Sequence, residues 1–383
     1  MPWPKVDIVS LRQEFVQLSQ SGCVGIAELC RRFGVSRKTG YKWLDRHRSG
    51  ADLADRSRRP RVSPSRTAEG VEARILELRQ QYPSWGGRKL RQLLINEGLA
   101  AELVPAASTV SGILRRHGLI DPEAGDQHKA WKRFEHEAPN DLWQMDFLGH
   151  FAAGSQRCYT LTALDDHSRF NLILAACADQ STQTVQGQLT TAFRRYGLPL
   201  RMTMDNGGPW GNNTAWHDLT PLTVWLMRLG IGVSHSRPYH PQTQGKDERF
   251  HRTLRAEVLG QRQFGSIEQV QAGLDRWRPI YNTIRPHEAL AMQRPQQRYR
   301  PSPRSYPEQL PPLEYDAGDA LRKVQAMGWI RFARKDIRLP KALKGQVVAL
   351  RATTQDGVYN VYFGTHHIKE IDLRDKPESK SNV

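Results

Sequence analysis

Cysteine is scarce in this chain. Cys23, Cys30, Cys158 and Cys177 are its four, none in a C-x-x-C pair and none with histidines at zinc-ligand spacing. That excludes a disulfide framework and a Cys/His zinc module, and leaves small buried or incidental thiols in a reducing cytosol. Long apolar runs are also lacking: no stretch approaches 18 residues, and no signal peptide opens the chain. The expectation is a cytoplasmic, nucleoid-associated protein with no membrane partner and no small-molecule cofactor. Acid is the third shortage. Against 56 Lys+Arg there are 39 Asp+Glu, a net charge of +17 and a pI of about 10.0, which favours a polyanionic partner.

The base that is present is unevenly placed. Residues 1–66 hold 14 basic and 6 acidic side chains, 67–137 hold 10 and 10, 138–270 hold 12 and 11, and 271–383 hold 20 and 12. The net charges are therefore +8, 0, +1 and +8, a near-neutral centre between basic flanks. Such flanks suit DNA phosphates, while the centre keeps its acids for other work.

Residues 26–46, IAELCRRFGVSRKTGYKWLDR, read as helix, turn, helix. Ile26, Leu29 and Phe33 share an apolar face, Gly34 makes the turn, and Ser36 is placed to cap the second helix. That helix offers Arg37, Lys38, Tyr41 and Lys42 to phosphates and base edges in a major groove. Gly40 sits where related helices carry an apolar residue, at a cost of roughly 1 kcal/mol. Residues 55–66 follow as a Pro/Ser/Arg linker, in which Arg58, Arg59 and Arg61 are candidates to lie along a groove. Residues 67–128 read as helical again, from Val71, Ile75 and Leu78, then Leu90, Leu93 and Leu94, around a break at YPSWGGRKL (82–90). With no net charge over 67–137, this stretch stands equally as a DNA contact and as a packing or dimerisation unit.

Three carboxylates mark the centre. Asp146 lies between Met145 and Phe147 in an apolar strand pattern, where a buried acid needs a partner or a metal. Asp205 ends the apolar run 200–204 and opens the glycine turn DNGGPW (205–210). Glu248 falls in the first turn of a helix marked by Phe250, Leu254 and Val258. Between the acids lie 58 residues and then 42. Singly, each has an ordinary reading: a satisfied buried acid, a β-turn, a surface glutamate facing the helix dipole and paired with Arg252. Together, three separated carboxylates are the oxygen ligands that a two-metal phosphoryl-transfer site needs. Asp247 is the rival to Glu248, but it points about 100° away around the helix.

The order WQMDF (143–147), DNGGPW, HPQTQGKDERFHRTL (240–254) and YNTIRPHEAL (281–290) resembles the catalytic core of retroviral-integrase-type transposases. More narrowly, it is similar to bacterial insertion-sequence transposases with an Asp, Asp, Glu triad, over roughly 140–295. The resemblance implies that Asp146, Asp205 and Glu248 are catalytic and hold two Mg²⁺ or Mn²⁺ ions. It also implies a ribonuclease H-like fold, double-stranded DNA (element ends and target) as the partner, and a homo-oligomer on paired ends. The second gap is longer than the family's common one and reads as an insertion within 210–222. Lys246, Arg249 and Arg252, on or near the Glu248 helix, are candidate DNA-backbone contacts. Asp165 and Asp166 read as a turn between strands, and His240 and His287 stand equally as DNA contacts and structural hydrogen bonders.

The core pattern predicts strands over 142–151, 157–165 and 169–177, a helix over 181–196, a strand over 200–204, a helix near 222–229 and a strand over 231–235. That order belongs to an α/β domain with a mixed sheet. From 324 onward, WIRFARKDIRL, QVVALRAT, GVYNVYFG and HHIKEIDL, with a hairpin signal at Asp356-Gly357, predict a small β-barrel. The expected chain is multidomain: an all-α helix-turn-helix region at 1–54, a linker at 55–66, a second helical unit at 67–128, the ribonuclease H-like core at 129–293, a Pro/Arg-rich linker at 294–318 and the barrel at 319–383. The expected function is a DNA transposase that nicks element ends and joins their 3′-hydroxyls to target DNA. The alternatives are a nuclease of the same fold that does not join, and a non-catalytic DNA-binding regulator derived from a transposase.

Overall fold

A computed structural model of the chain describes residues 7–55, 66–120, 135–211, 219–235 and 245–374. Arg58, Arg59, Arg61, His240 and most of the 210–222 insertion lie outside the described residues. The chain divides into two compact units, 1–66 and 67–383.

The first unit is three helices, α1 (Ile8–Gln20), α2 (Ile26–Arg32) and α3 (Arg37–Arg48), around Phe15, Leu29, Cys30, Trp43 and Leu44. Gly34 turns the chain between α2 and α3 at φ +65°, and the Ser36 hydroxyl accepts from the Thr39 N–H at 3.2 Å to cap α3. Gly40 proves to be a packing residue. A Cβ there would stand 2.7 Å from Cys30 Sγ and 2.9 Å from Phe15 Cζ, so its helical cost is the condition for α3 to lie close to α1 and α2. Arg37, Lys38, Tyr41 and Lys42 are all exposed on α3.

The second unit opens with α4 (Glu69–Gln81), α5 (Gly87–Asn96) and α6 (Ala107–Arg116), packed about Ile75, Leu78, Trp85, Leu90, Leu94, Val110 and Ile113. A five-stranded sheet follows, in the order β3-β2-β1-β4-β5. β1 (Leu142–Ala153), β2 (Gln156–Asp165) and β3 (Asn171–Cys177) form an antiparallel meander. α7 (Thr182–Tyr196) then crosses over to β4 (Arg201–Met204), and α8 (Pro221–Arg228) to β5 (Gly232–His235), adding two strands parallel to β1. Each expected core strand is found, its ends within two residues.

Alternate side chains of the sheet feed two cores. On one face Val185, Leu189 and Phe193 of α7 cover Trp143, Met145 and Met202. On the other, α9 (Gly245–Glu257) and α10 (Ile267–Pro279) bring Phe250, Leu254, Leu274 and Trp277 against Leu164 and Leu174. A π-helical turn at Ile280–Ile284 and the short α11 (Pro295–Arg298) close the core.

The C-terminal region is a four-stranded sheet and a ribbon, not the expected barrel. β6 (Ala320–Lys323), β9 (Val347–Ala352), β10 (Val358–Phe363) and β11 (His366–Asp372) pair in the order β11-β10-β9-β6, while β7 (Trp329–Phe332) pairs with β8 (Lys335–Arg338) alone among the described residues. The two-residue turn Ala333-Arg334, both at positive φ, commits these four-residue strands to each other, so no ladder runs from β6 round to β11. The sheet instead buries Val348, Leu350, Val361 and Phe363 against Val224 and Met227 of α8.

Candidate active site

Strand register brings the first two acids together. β1 and β4 pair in parallel with Leu142 beside Arg201 and Gln144 beside Thr203, an offset of 59 positions. Asp205 follows Asp146 by the same offset, so the two carboxylates leave neighbouring strands side by side. The 58 residues between them are the meander, α7 and the return into β4. Asp146 is mostly buried, and its pKa is pushed up to about 7 by that burial, by the charge of Asp205 and, more weakly, by that of Glu248. Asp205 and Glu248 therefore both lie near enough to Asp146 for their charges to act on it.

The DNGGPW turn folds back on itself at Asp205. Its carboxylate accepts from the Gly207 N–H at 3.0 Å and from the Trp210 indole N–H, and its carbonyl lies 3.0 Å from His235 Nδ1. Trp210 is buried and stacks on Phe147 with ring centroids 5.3 Å apart, which holds the turn over the residue after Asp146.

α9 supplies the third acid. Glu248 is exposed in its first turn, whereas Asp247 turns inward, 1% exposed, with neither carboxylate oxygen hydrogen-bonded. Burial, then Asp146 and Asp166, raise the Asp247 pKa well above the usual carboxylate range. His251, three residues after Glu248 on the helix, faces β1: its Nδ1 stands 3.9 Å from the Asp146 carboxylate and its Nε2 2.8 Å from Thr162 Oγ1. Burial, with Arg255 nearby, depresses its pKa to about 4, so the ring is neutral at physiological pH. Sequence reasoning passed over His251; its i+3 spacing from Glu248 was the available signal.

Lys246 is engaged. Its ammonium pairs with the Asp166 carboxylate and donates to the Asp166 carbonyl at 3.2 Å, and its side chain is 17% exposed. Asp166 also accepts from the Gln144 amide at 2.8 Å and the His136 N–H at 2.9 Å. Asp165 accepts from the Ser168 N–H at 2.8 Å and the Asn140 N–H at 2.7 Å. These two acids build the β2–β3 turn and its attachments. Arg249 and Arg252 are exposed on α9. The motif YNTIRPHEAL is architectural here: the Asn282 amide bonds both the N–H and the carbonyl of Asn171, and His287 is buried with Nε2 3.4 Å from the Tyr281 carbonyl.

Among the described residues no three His, Cys, Asp or Glu side chains stand close enough, as placed, to grip an ion. The converging donors are all carboxylate oxygens, the chemistry that hard divalent cations take.

The integrase core domain family matches residues 136–241 and, in a second form, 229–295. The C-terminal domain of the IS481 transposase family matches 319–379, a homeodomain-like domain 39–114 and a helix-turn-helix domain 11–61. The chain thus carries an integrase core domain and, after it, the C-terminal domain of an insertion-sequence transposase family. Relatives of the chain include the insertion element IS476 uncharacterized 39.2 kDa protein of Xanthomonas euvesicatoria, 27% identical over 232 residues, 59% of this chain and 63% of that one. The match thus spans a little under two thirds of that relative. The insertion element IS407 uncharacterized 31.7 kDa protein of Burkholderia multivorans is 24% identical over 60% of this chain and 80% of that one. Among solved structures, a simian T-cell lymphotropic virus intasome in complex with a PP2A regulatory subunit covers 78% of this chain and 100% of that chain, at 15% identity and a TM-score of 0.37. The HTLV-2 integrase catalytic core domain in complex with magnesium covers 42% and 97%, at 13% identity and a TM-score of 0.31. No described helix of the chain is long and apolar enough to cross a membrane.

Proposed function

We propose that this transposase binds the double-stranded ends of its element, nicks them and joins the freed 3′-hydroxyls to target DNA, as a homo-oligomer on paired ends. Asp146, Asp205 and Glu248 are its catalytic residues and hold two Mg²⁺ or Mn²⁺ ions. The observation that carries this reading is the β1–β4 register, which sets Asp146 beside Asp205 in an environment that raises the Asp146 pKa. When bound, the ions supply Lewis-acid polarisation of the phosphodiester and a more acidic oxygen nucleophile.

The chain's own residues prepare that chemistry. Asp146 stands within β1, a stiffer support than a loop, and Asp205 directly follows β4, where Trp210 and Gly207 hold its carboxylate in one orientation. His251, neutral, flanks Asp146 without adding charge. Arg249 and Arg252 meet the DNA backbone beside Glu248, and Lys246 joins them only by leaving Asp166. Arg37, Lys38, Tyr41 and Lys42 of α3 read the element ends, and Arg58, Arg59 and Arg61 are further DNA contacts.

The test is a strand-transfer assay on the DNA flanking the gene, with Mg²⁺, comparing wild type with Asp205→Asn. Joined products from wild type alone are expected. Cleavage without joining would assign a nuclease, and binding without chemistry in Mg²⁺ or Mn²⁺ a regulator.

A further inference from the structure

Glu257 ends α9 and gathers four hydrogen bonds from three other parts of the chain. Its Oε1 accepts from the Ser84 hydroxyl, the Trp85 indole N–H and Arg285 Nε, each at 3.1 Å, and its Oε2 from the Trp277 indole N–H at 2.8 Å. Trp277 and Arg285 belong to the core, but Ser84 and Trp85 belong to the YPSWGG turn between α4 and α5. Trp85 is 1% exposed and stacked on Tyr82 at 4.0 Å, while Ile280 and Ile284 of the core pack into the α4–α6 cluster. Indole donors on a buried carboxylate make a directional contact, unlike an apolar face that can slide.

Glu257 lies nine residues after Glu248 on one straight helix, about two and a half turns on, and so on its opposite side. α9 is therefore a strut, with Glu248 at its first turn and its last turn anchored from behind. The anchoring segment carries little charge with which to grip phosphates: 67–120 holds 7 basic and 5 acidic residues, +2 against the +8 of residues 1–66.

We propose that the α4–α6 unit is a positioning element for the active site: Trp85 and Ser84 hold Glu257 and, through α9, set where Glu248 stands relative to Asp146 and Asp205. The inference rests on the triad assigned above. Trp85, Ser84 and Glu257 are positioning residues and touch no substrate.

Trp85→Phe in the full chain removes the N–H and keeps the ring on Tyr82; Ser84→Ala is the milder second variant, at an exposed hydroxyl. Three quantities are measured: the single-turnover strand-transfer rate on saturating DNA, the Kd for end DNA, and Mn²⁺ affinity by electron paramagnetic resonance. Trp85→Phe should slow transfer roughly tenfold or more and weaken Mn²⁺ binding, with DNA affinity within about twofold of wild type. Ser84→Ala should move the same two quantities less. Two results overturn the proposal: unchanged rate and Mn²⁺ affinity in variants that melt like wild type, or DNA affinity falling in step with rate, which would make the unit a DNA grip. If wild type binds Mn²⁺ in an Asp205-dependent way yet joins no DNA, the strand-transfer reading fails while the Mn²⁺ comparison still decides this one.

Discussion

The indole N–H of Trp210 donates to the carboxylate of Asp205, and the same ring lies on Phe147, the neighbour of Asp146. One side chain thus ties the turn carrying the second acid to the strand carrying the first. Trp210→Phe keeps most of the stack and deletes only the donor. A hydrogen bond to a charged group contributes about 1.5–3 kcal/mol, and this one sits at a partly open site, so a roughly tenfold loss of strand-transfer rate is expected. DNA-end affinity, followed by fluorescence anisotropy, should stay put. A wild-type rate in this variant would mean that the indole only packs.

Asp247 and Glu248 are neighbours with opposite surroundings, which separates their roles experimentally. Asp247 is buried without a partner for either oxygen, and its pKa is raised. A carboxyl that binds its proton more tightly folded than unfolded stabilises the fold at acid pH and loses that contribution as pH rises through the raised pKa. Asp247→Asn carries no such penalty. It should retain strand transfer and lose less Tm than wild type as the buffer is made alkaline. Glu248→Gln, on an exposed position, should keep the wild-type Tm profile and lose strand transfer by roughly a thousandfold. The reverse pattern would move the third ligand to Asp247.

Asp146 makes cation binding a competition with protons. Its pKa of about 7 means that a divalent ion must displace a proton from it at lower pH, so affinity should drop as pH falls through that value. By the same sign rule as for Asp247, the metal-free protein loses the contribution of protonated Asp146 as pH rises through about 7. The cation offsets that loss. The Tm increase produced by Mn²⁺ should therefore be larger at about pH 8 than at about pH 6, and small at both in Asp205→Asn. Equal increments in wild type at the two values would remove Asp146 from the ligand set.

The core was legible because its signals are periodic. Apolar alternation marked the strands, and the Asp146-to-Asp205 spacing turned out to be the β1–β4 register itself. The 100° step of a helix separates Glu248 from Asp247, and the structure has the first exposed and the second buried. Closure of the C-terminal sheet was not legible, because it depends on which edges of short strands meet, and strand propensity does not encode that. Glu257 was equally hidden. Its donors come from Ser84, Trp85, Trp277 and Arg285, which no local pattern links, and in sequence it is one more glutamate at a helix end. Lys246 read as a DNA contact because it stands beside Glu248 at the start of the helix; the buried acid that engages it, Asp166, lies 80 positions away.

Gly40 gives the sharpest test of the first unit. By helix propensity alone, Gly40→Ala should stabilise α3 by roughly 1 kcal/mol. The space argues the other way: the new Cβ meets Cys30 Sγ and Phe15 Cζ, and both residues are only 3% exposed, so neither can swing into solvent. Overpacking of this kind costs about 1–3 kcal/mol, which outweighs the propensity gain or at best cancels it. The expected outcome is faster amide hydrogen exchange through α1–α3 and weaker end-DNA binding, with Mn²⁺ binding in the core unchanged. Cys30→Ala in the same chain removes the nearest obstruction and should recover part of the loss. If Gly40→Ala alone slows exchange, α3 has room that the packing denies, and the glycine owes its place to something other than the Phe15–Cys30 contact.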